Sequence, residues 1–192
     1  MIVSCIILFC FLSTSYYFSK KLKADISGIW VIILLSQVLL SVELLGVFGI
    51  LNKTNLLVLG LLFLALVLFV EIRKLKQKKI KEFLPKIRYT DFIEFLPLLL
   101  LFLIVASYYA LTPIWEIDSV SYHLPITTHL VQTGSIFDVN NLGYVGPNTY
   151  FPANHEALSG FILLLFGNLN LGFIINFLGL VLFFLRIKRF DQ

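Results

Sequence analysis

Charged side chains are scarce in this sequence. They make up 14% of its 192 residues, whereas soluble domains carry roughly 25%. Hydrophobic residues make up 59%. A chain this apolar does not stay disordered in water, and its composition does not suit an ordinary soluble globule. The sequence therefore indicates an integral membrane protein.

Cysteine is also scarce. The two cysteines, Cys5 and Cys10, both lie in the first apolar stretch, and none lies in a polar loop. A disulfide framework of the kind that stabilises small secreted domains is therefore excluded. We expect both side chains to pack as small apolar groups.

Positive charge is missing from one long segment, because no Lys or Arg lies between Thr112 and Glu156. The fifteen basic residues comprise three at 20–23, Lys53, eight at 73–88 and three at 186–189. Short basic loops stay in the cytoplasm, since positive charge resists translocation. This distribution predicts fourteen basic residues on the cytoplasmic side. Membrane topology thus explains the net charge of +4, and we expect no nucleic-acid partner.

Five long apolar stretches predict transmembrane spans at about 2–19, 27–51, 54–70, 95–115 and 157–185. Each approaches or exceeds the ~20 residues that cross a ~30 Å hydrocarbon core. Backbone groups in lipid must be paired internally, so the spans must be helices. Lys20 and Lys21 follow the first stretch, which favours an uncleaved helix with its N-terminus outside. We predict an all-α polytopic membrane protein whose C-terminus is cytoplasmic, forming one N-terminal transmembrane module.

The last apolar stretch leaves two topologies open, because Gly167-Asn168 divides it. Two passes would place the basic residues at 186–189 outside. One pass, with 156–166 as a bent or interfacial segment, keeps them in the cytoplasm, and the charge rule favours it. The basic connection 71–91 is then a cytoplasmic loop that also contacts anionic lipid headgroups.

The outer loop at 112–156 holds all three histidines and four of the eleven acids of the chain. Asp118 can cap a helix over 119–133, and Gly134 is a plausible stop for it. Pro125 should kink this helix or lie in a first helical turn. We expect the helix to lie on the membrane surface.

Glu116-Ile117-Asp118 directly follows the fourth apolar stretch. Two such carboxylates can hold a divalent cation, or one can deprotonate a hydroxyl that the other orients. The competing interpretation is an ordinary polar helix terminus with Asp118 as N-cap. The triplet by itself does not distinguish the two.

The order of motifs in the loop resembles the first outer loop of the GT-C superfamily of membrane glycosyltransferases. The likeness is to bacterial relatives of protein O-mannosyltransferases and of the lipid A aminoarabinose transferase. It covers residues 113–167. The motifs that carry it are Glu116-x-Asp118, Ser121-Tyr122-His123-Leu124-Pro125, Thr133-Gly134-Ser135-Ile136, Tyr150-Phe151-Pro152, Glu156-Ala157-Leu158 and Leu165-Phe166-Gly167.

The resemblance implies a role for each matched residue. Asp118 would be the catalytic or substrate-orienting carboxylate, with Glu116 as its companion. The substrate-binding residues would be Tyr122, His123, His155 and Glu156. The donor would be a polyprenyl-phosphate-linked sugar, met at the outer membrane surface, and the acceptor is not specified. No cofactor is implied with certainty; a divalent metal ion, if used, would be held by Glu116 and Asp118.

One departure from the family concerns charge, because the loop has no Lys or Arg to neutralise a donor phosphate. Family members also continue through further spans, so we expect this chain to be the N-terminal portion of such an enzyme. Two alternatives remain: a non-catalytic assembly or glycolipid-binding subunit, and an enzyme of polysaccharide ligation or polymerisation. A zinc site formed by His123, His155 and Glu156 is chemically possible, although their spacing matches no recognised signature.

Overall fold

The computed structural model describes residues 1–22, 26–75, 100–109, 111–112, 122–137 and 154–190. These ranges are helical and contain no strand, so the all-α prediction is confirmed. The helices are α1 (Ile2–Lys21), α2 (Ile26–Val47), α3 (Lys53–Leu75), α4 (Leu100–Tyr109), α5 (Leu124–Thr133), α6 (Asn154–Phe166) and α7 (Phe173–Phe190), with a 3-10 helix (Leu169–Gly172) before α7.

Three of the helices are long and apolar enough to cross a membrane. These are α1, the Ile29–Val47 part of α2 and the Lys53–Val70 part of α3. They support a membrane location for the protein. The described parts of the other apolar helices, α4, α6 and Leu169–Leu182, are shorter than a span.

Helix α1 lies at the centre of the first three helices. In the apolar segment of α1 that is long enough to cross a membrane, 39% of the residues are buried, compared with 17% in the corresponding segment of α3. Ser4, Ile7, Phe11 and Thr14 recur at intervals of three or four residues and form its buried stripe. Side chains at this spacing share one helix face, so α1 can pack against several neighbours at once.

Small and polar residues hold the three helices together. Gly60 of α3 faces Phe11 so closely that an added Cβ would lie 3.2 Å from the ring. Gln37 of α2 donates its Nε2 hydrogen to Thr14 Oγ1 of α1 at 2.7 Å. Close approach at small residues and hydrogen bonds between helices are the usual means of helix association in lipid.

The turn between α2 and α3 joins this bundle to the rest of the fold. Helix α2 ends at Val47, four residues before the end of the predicted second span, because Gly49 takes a left-handed conformation (φ +66°). Beyond it, Leu51 N–H donates to Gly134 C=O at 3.1 Å, and Ile136 N–H donates to Gly46 C=O at 3.1 Å. The chain that follows α5 is thereby fixed to this turn.

Helix α6 also packs on the bundle. The carbonyl of Leu165 accepts hydrogen bonds from Ser4 Oγ (2.7 Å) and from Lys53 Nζ (3.1 Å). The rings of Phe11 and Phe161 lie 5.4 Å apart between centroids. The first turns of α1 and α3 and the last turn of α6 therefore meet at one end of the bundle.

A break separates α6 from α7 at the predicted position. Gly167 has φ +68°, and Asn168 caps the 3-10 helix by accepting a hydrogen bond from the Asn170 N–H.

Helix α4 packs against the first turns of α7. Tyr109 stacks on Phe173 at 5.3 Å, and Phe102 lies 5.0 Å from Phe177.

Candidate functional site

Helix α5 ends at the residue that the sequence predicts, and a turn of a different helical type precedes its first residue. Gly134 closes it in a left-handed conformation (φ +72°) and donates its N–H to the Leu130 carbonyl. Pro125 lies in the first turn, where a missing N–H costs little. Tyr122 and His123 form a wider, π-type turn before it, a feature frequent at functional sites.

The starts of α5 and α6 meet through a hydrogen bond between a histidine and a glutamate side chain. His123 Nδ1, at the beginning of α5, contacts Glu156 Oε1, in the first turn of α6. Glu156 is 5% exposed, so water solvates its carboxylate poorly. A buried carboxylate needs a partner of this kind. The pair joins two helices whose contacting residues are 33 positions apart.

His155 completes a cluster of three ionisable side chains. Its ring centroid lies 5.4 Å from that of His123, and the ring centroid of Tyr122 lies 4.1 Å from that of His123. Burial lowers the pKa of His155 below its usual value; Glu156 partly offsets this effect and His123 adds to it. His155 is therefore mostly neutral at pH 7, with a lone pair available to a proton or a metal ion.

A half-open cavity of about 80 Å³ lies beside the two histidines. Polar side chains from several elements face it, among apolar walls. Its lining consists of Tyr109, His123, Leu124, Thr127, His155, Ser159, Leu169, Asn170, Gly172, Phe173 and Asn176. A space of this size holds a few water molecules or an ion with its water, and its convergent polar groups are typical of binding sites.

Four of the six site residues predicted from the sequence are described, and the fold brings them together. Tyr122 and His123 come from one helix start, and His155 and Glu156 come from the other. The predicted catalytic pair, Glu116 and Asp118, lies outside the described residues, as does the proposed helix cap at Asp118.

The sequence argument missed several cavity residues. Thr127 lies four residues after His123, and Ser159 lies four residues after His155, so each shares a helix face with its histidine. Helical periodicity could have identified both. Asn170 and Asn176 interrupt an apolar stretch, which is a weaker signal. Tyr109 carries no sequence signal, because only the packing of α4 brings it to the cavity.

The cluster can perform two kinds of chemistry. An imidazole paired with a buried carboxylate can accept and return a proton. Two imidazoles and a carboxylate can also bind a metal ion.

Comparison of the chain with protein-family models, with curated proteins and with solved structures finds no match.

Proposed function

We propose that the protein is a membrane glycosyltransferase, of which these 192 residues form the N-terminal part. It transfers a sugar from a polyprenyl phosphate to an acceptor outside the cytoplasm. The supporting observation is the meeting of Tyr122, His123, His155 and Glu156. The resemblance assigns these residues to one substrate cavity, and they come together from two separate helices.

The proposed topology has five spans, with the N-terminus outside and the C-terminus in the cytoplasm. The arrangement of α1 and α3 supports it. Both helices start at the end of the bundle where Ser4 and Lys53 bind the Leu165 carbonyl, so their last turns share the opposite end. The last turn of α1 carries Lys20 and Lys21, and in the sequence the basic segment 73–88 begins where α3 ends. Concentrated positive charge marks a cytoplasmic end.

In this topology the cluster meets the donor on the outer side. The bond between the anomeric carbon and a phosphate oxygen breaks, and the acceptor hydroxyl forms the new bond to that carbon. Its proton passes to a carboxylate base, and the polyprenyl phosphate leaves. Asp118 is the proposed base, and the His123–Glu156 pair orients the acceptor hydroxyl beside it. Asp118 is four residues from Tyr122, a reach of at most ~14 Å.

Single-cysteine labelling tests the topology. An impermeant maleimide applied to intact cells should label a cysteine at Ser135 and should not label one at Gln77. These variants are made in a background where Cys5 and Cys10 are replaced by Ala. Labelling of Gln77→Cys but not of Ser135→Cys would place the cluster in the cytoplasm and overturn the proposal.

Asp118→Asn tests the transfer step in the complete gene product. The substitution keeps the size and the capping ability of the side chain but removes its charge. We expect transfer from synthetic polyprenyl phosphates carrying mannose, glucose or aminoarabinose to fall by ~10²- to 10⁴-fold, the usual cost of losing a general base. The measurement is the release of polyprenyl phosphate, with membrane insertion checked in parallel.

Asp138→Asn is the matched control, because Asp138 belongs to the same loop without belonging to the motif. It should retain transfer. Full activity in Asp118→Asn, or equal loss in both variants, contradicts the assignment. A protein that binds the three donors without releasing polyprenyl phosphate would instead be the non-catalytic glycolipid-binding subunit.

A further inference from the structure

The side chains of His123, His155 and Glu156 offer three ligand atoms within 4.8 Å of one another. We propose that they bind one divalent transition-metal ion, with Zn²⁺ the best fit, where α5 meets α6. This site is separate from Glu116 and Asp118, and it requires no glycosyl transfer for its existence.

The donor set determines the kind of metal. Imidazole nitrogen suits zinc and other transition metals, whereas Mg²⁺ and Ca²⁺ prefer sites made of oxygen ligands. Two histidines and one glutamate supply three protein ligands and leave a fourth position for water or substrate. This is the pattern of an open zinc site rather than a closed structural one.

The geometry lies close to what zinc requires. Zinc binds nitrogen and oxygen at ~2.0–2.1 Å, so two ligand atoms of a tetrahedral site lie about 3.4 Å apart. The three ligand atoms here lie within 4.8 Å, so no pair needs to approach by more than about 1.4 Å. His123 and Glu156 are already in contact and would separate slightly to admit the metal ion between them.

The surroundings supply space for the fourth position. The cavity beside the histidines has a volume of about 80 Å³, which accommodates a metal-bound water. Thr127 and Ser159 line this cavity one helical turn beyond His123 and His155, respectively. Their hydroxyl groups are suited to hydrogen-bond that water or the substrate atom that replaces it.

Electrostatics also favours a cation at this place. The sequence has no Lys or Arg anywhere in 89–185, so no lysine or arginine of that stretch can balance the buried Glu156 carboxylate. Lys53, from outside it, donates to the Leu165 carbonyl instead. A bound Zn²⁺ would neutralise Glu156. If the proposed function holds, it would also attract the donor phosphate, for which the outer loop offers no basic residue.

Metal binding to the purified full chain in detergent tests the proposal, with Zn²⁺, Mn²⁺ and Mg²⁺ each added alone. Calorimetry and elemental analysis after gel filtration should give one tightly bound Zn²⁺ per chain and much weaker binding of Mg²⁺. His123→Gln and His155→Gln should each weaken Zn²⁺ binding by more than ~100-fold, since loss of an outer-shell partner already costs ~10- to 100-fold.

His129→Gln is the matched control, because His129 lies on α5 but is not among the described residues that line the cavity. It should bind Zn²⁺ as the wild type does. Absence of stoichiometric Zn²⁺, or equal binding in His155→Gln and wild type, overturns the proposal.

A spectroscopic test on the wild type avoids reliance on the folding of any variant. Co²⁺ in a four-coordinate site of nitrogen and oxygen ligands absorbs visible light strongly, whereas hydrated octahedral Co²⁺ absorbs weakly. Titration of the wild type with Co²⁺ should produce the strong bands, and Zn²⁺ should abolish them. A failed titration refutes the metal site and leaves the Asp118 experiment unaffected.

Discussion

The α1–α3 bundle and the α5–α6 pair differ in the length of their helices and in the polarity of the side chains that they carry. The bundle consists of helices of 20 to 23 residues with apolar surfaces, and many large side chains on it are exposed, such as Phe9, Leu62 and Leu66. Exposed apolar residues of this kind suit contact with lipid. Helices α5 and α6 have 10 and 13 residues and carry the ionisable cluster.

The comparison indicates that the site depends on packing against the bundle, because α5 and α6 are short helices. Helices shorter than ~12–15 residues are marginal in isolation. Helix α5 gains its order from packing, because Leu130 lies in the same buried core as Phe11 and Val42. The contact of Gly134 with the α2–α3 turn completes this docking. Perturbing either region alone should therefore reveal which one holds the other in place.

The largest expected effect comes from Gly134→Ala, which attacks the junction of the two regions. A non-glycine residue in the left-handed conformation costs ~1–3 kcal/mol. The new Cβ would also lie 2.9 Å from the Leu51 carbonyl oxygen and 3.2 Å from the Leu51 nitrogen. We expect a total loss of ~2–4 kcal/mol. Hydrogen exchange should show α5 opening more readily, while the α1–α3 amides remain protected.

Gly167→Ala is the matched comparison for Gly134→Ala. Gly167 also has a positive φ, but an added Cβ would meet nothing within 4 Å among the described residues. It should cost only the conformational part, ~1–3 kcal/mol. Equal effects of the two substitutions would show that the contact with Leu51 does not hold α5 in place.

A smaller effect should come from Thr14→Val, which acts inside the bundle. The substitution preserves shape but removes the hydrogen bond to Gln37. Hydrogen bonds between membrane helices average ~0.6 kcal/mol and reach ~1.7 kcal/mol. We expect a loss in this range, measured by thermal unfolding in detergent. Zinc binding at the cluster should be unchanged, since the bundle keeps its packing.

Ser15→Ala provides the control for Thr14→Val. Ser15 is also fully buried, but its hydroxyl bonds to the Leu12 carbonyl of its own helix. Its loss should lower stability less than the loss of the bond between α1 and α2. A larger loss in Ser15→Ala would mean that packing around α1, rather than the bond to Gln37, limits the stability of the bundle.

The sequence predicted the features that depend on a segment's own chemistry. Apolar length located α1, α2 and α3 as helices long enough to cross a membrane, because hydropathy and internal backbone pairing are properties of one segment. Gly134 and Gly167 were identified as breaks because glycine tolerates a positive φ that other residues avoid. The likeness to a known loop selected His123 and Glu156, but no spacing rule could state that they touch.

Tertiary structure decided which distant groups meet. His123 pairs with Glu156 across 33 positions, and Ser4 binds the Leu165 carbonyl across 161. Thr127, Ser159 and Asn170 enter the cavity for the same reason. Periodicity tells which residues share a helix face, but it does not fix how far a helix rotates or where it docks. Those quantities follow from the packing of several helix faces at once, and here α1 provides the surface on which that packing is built.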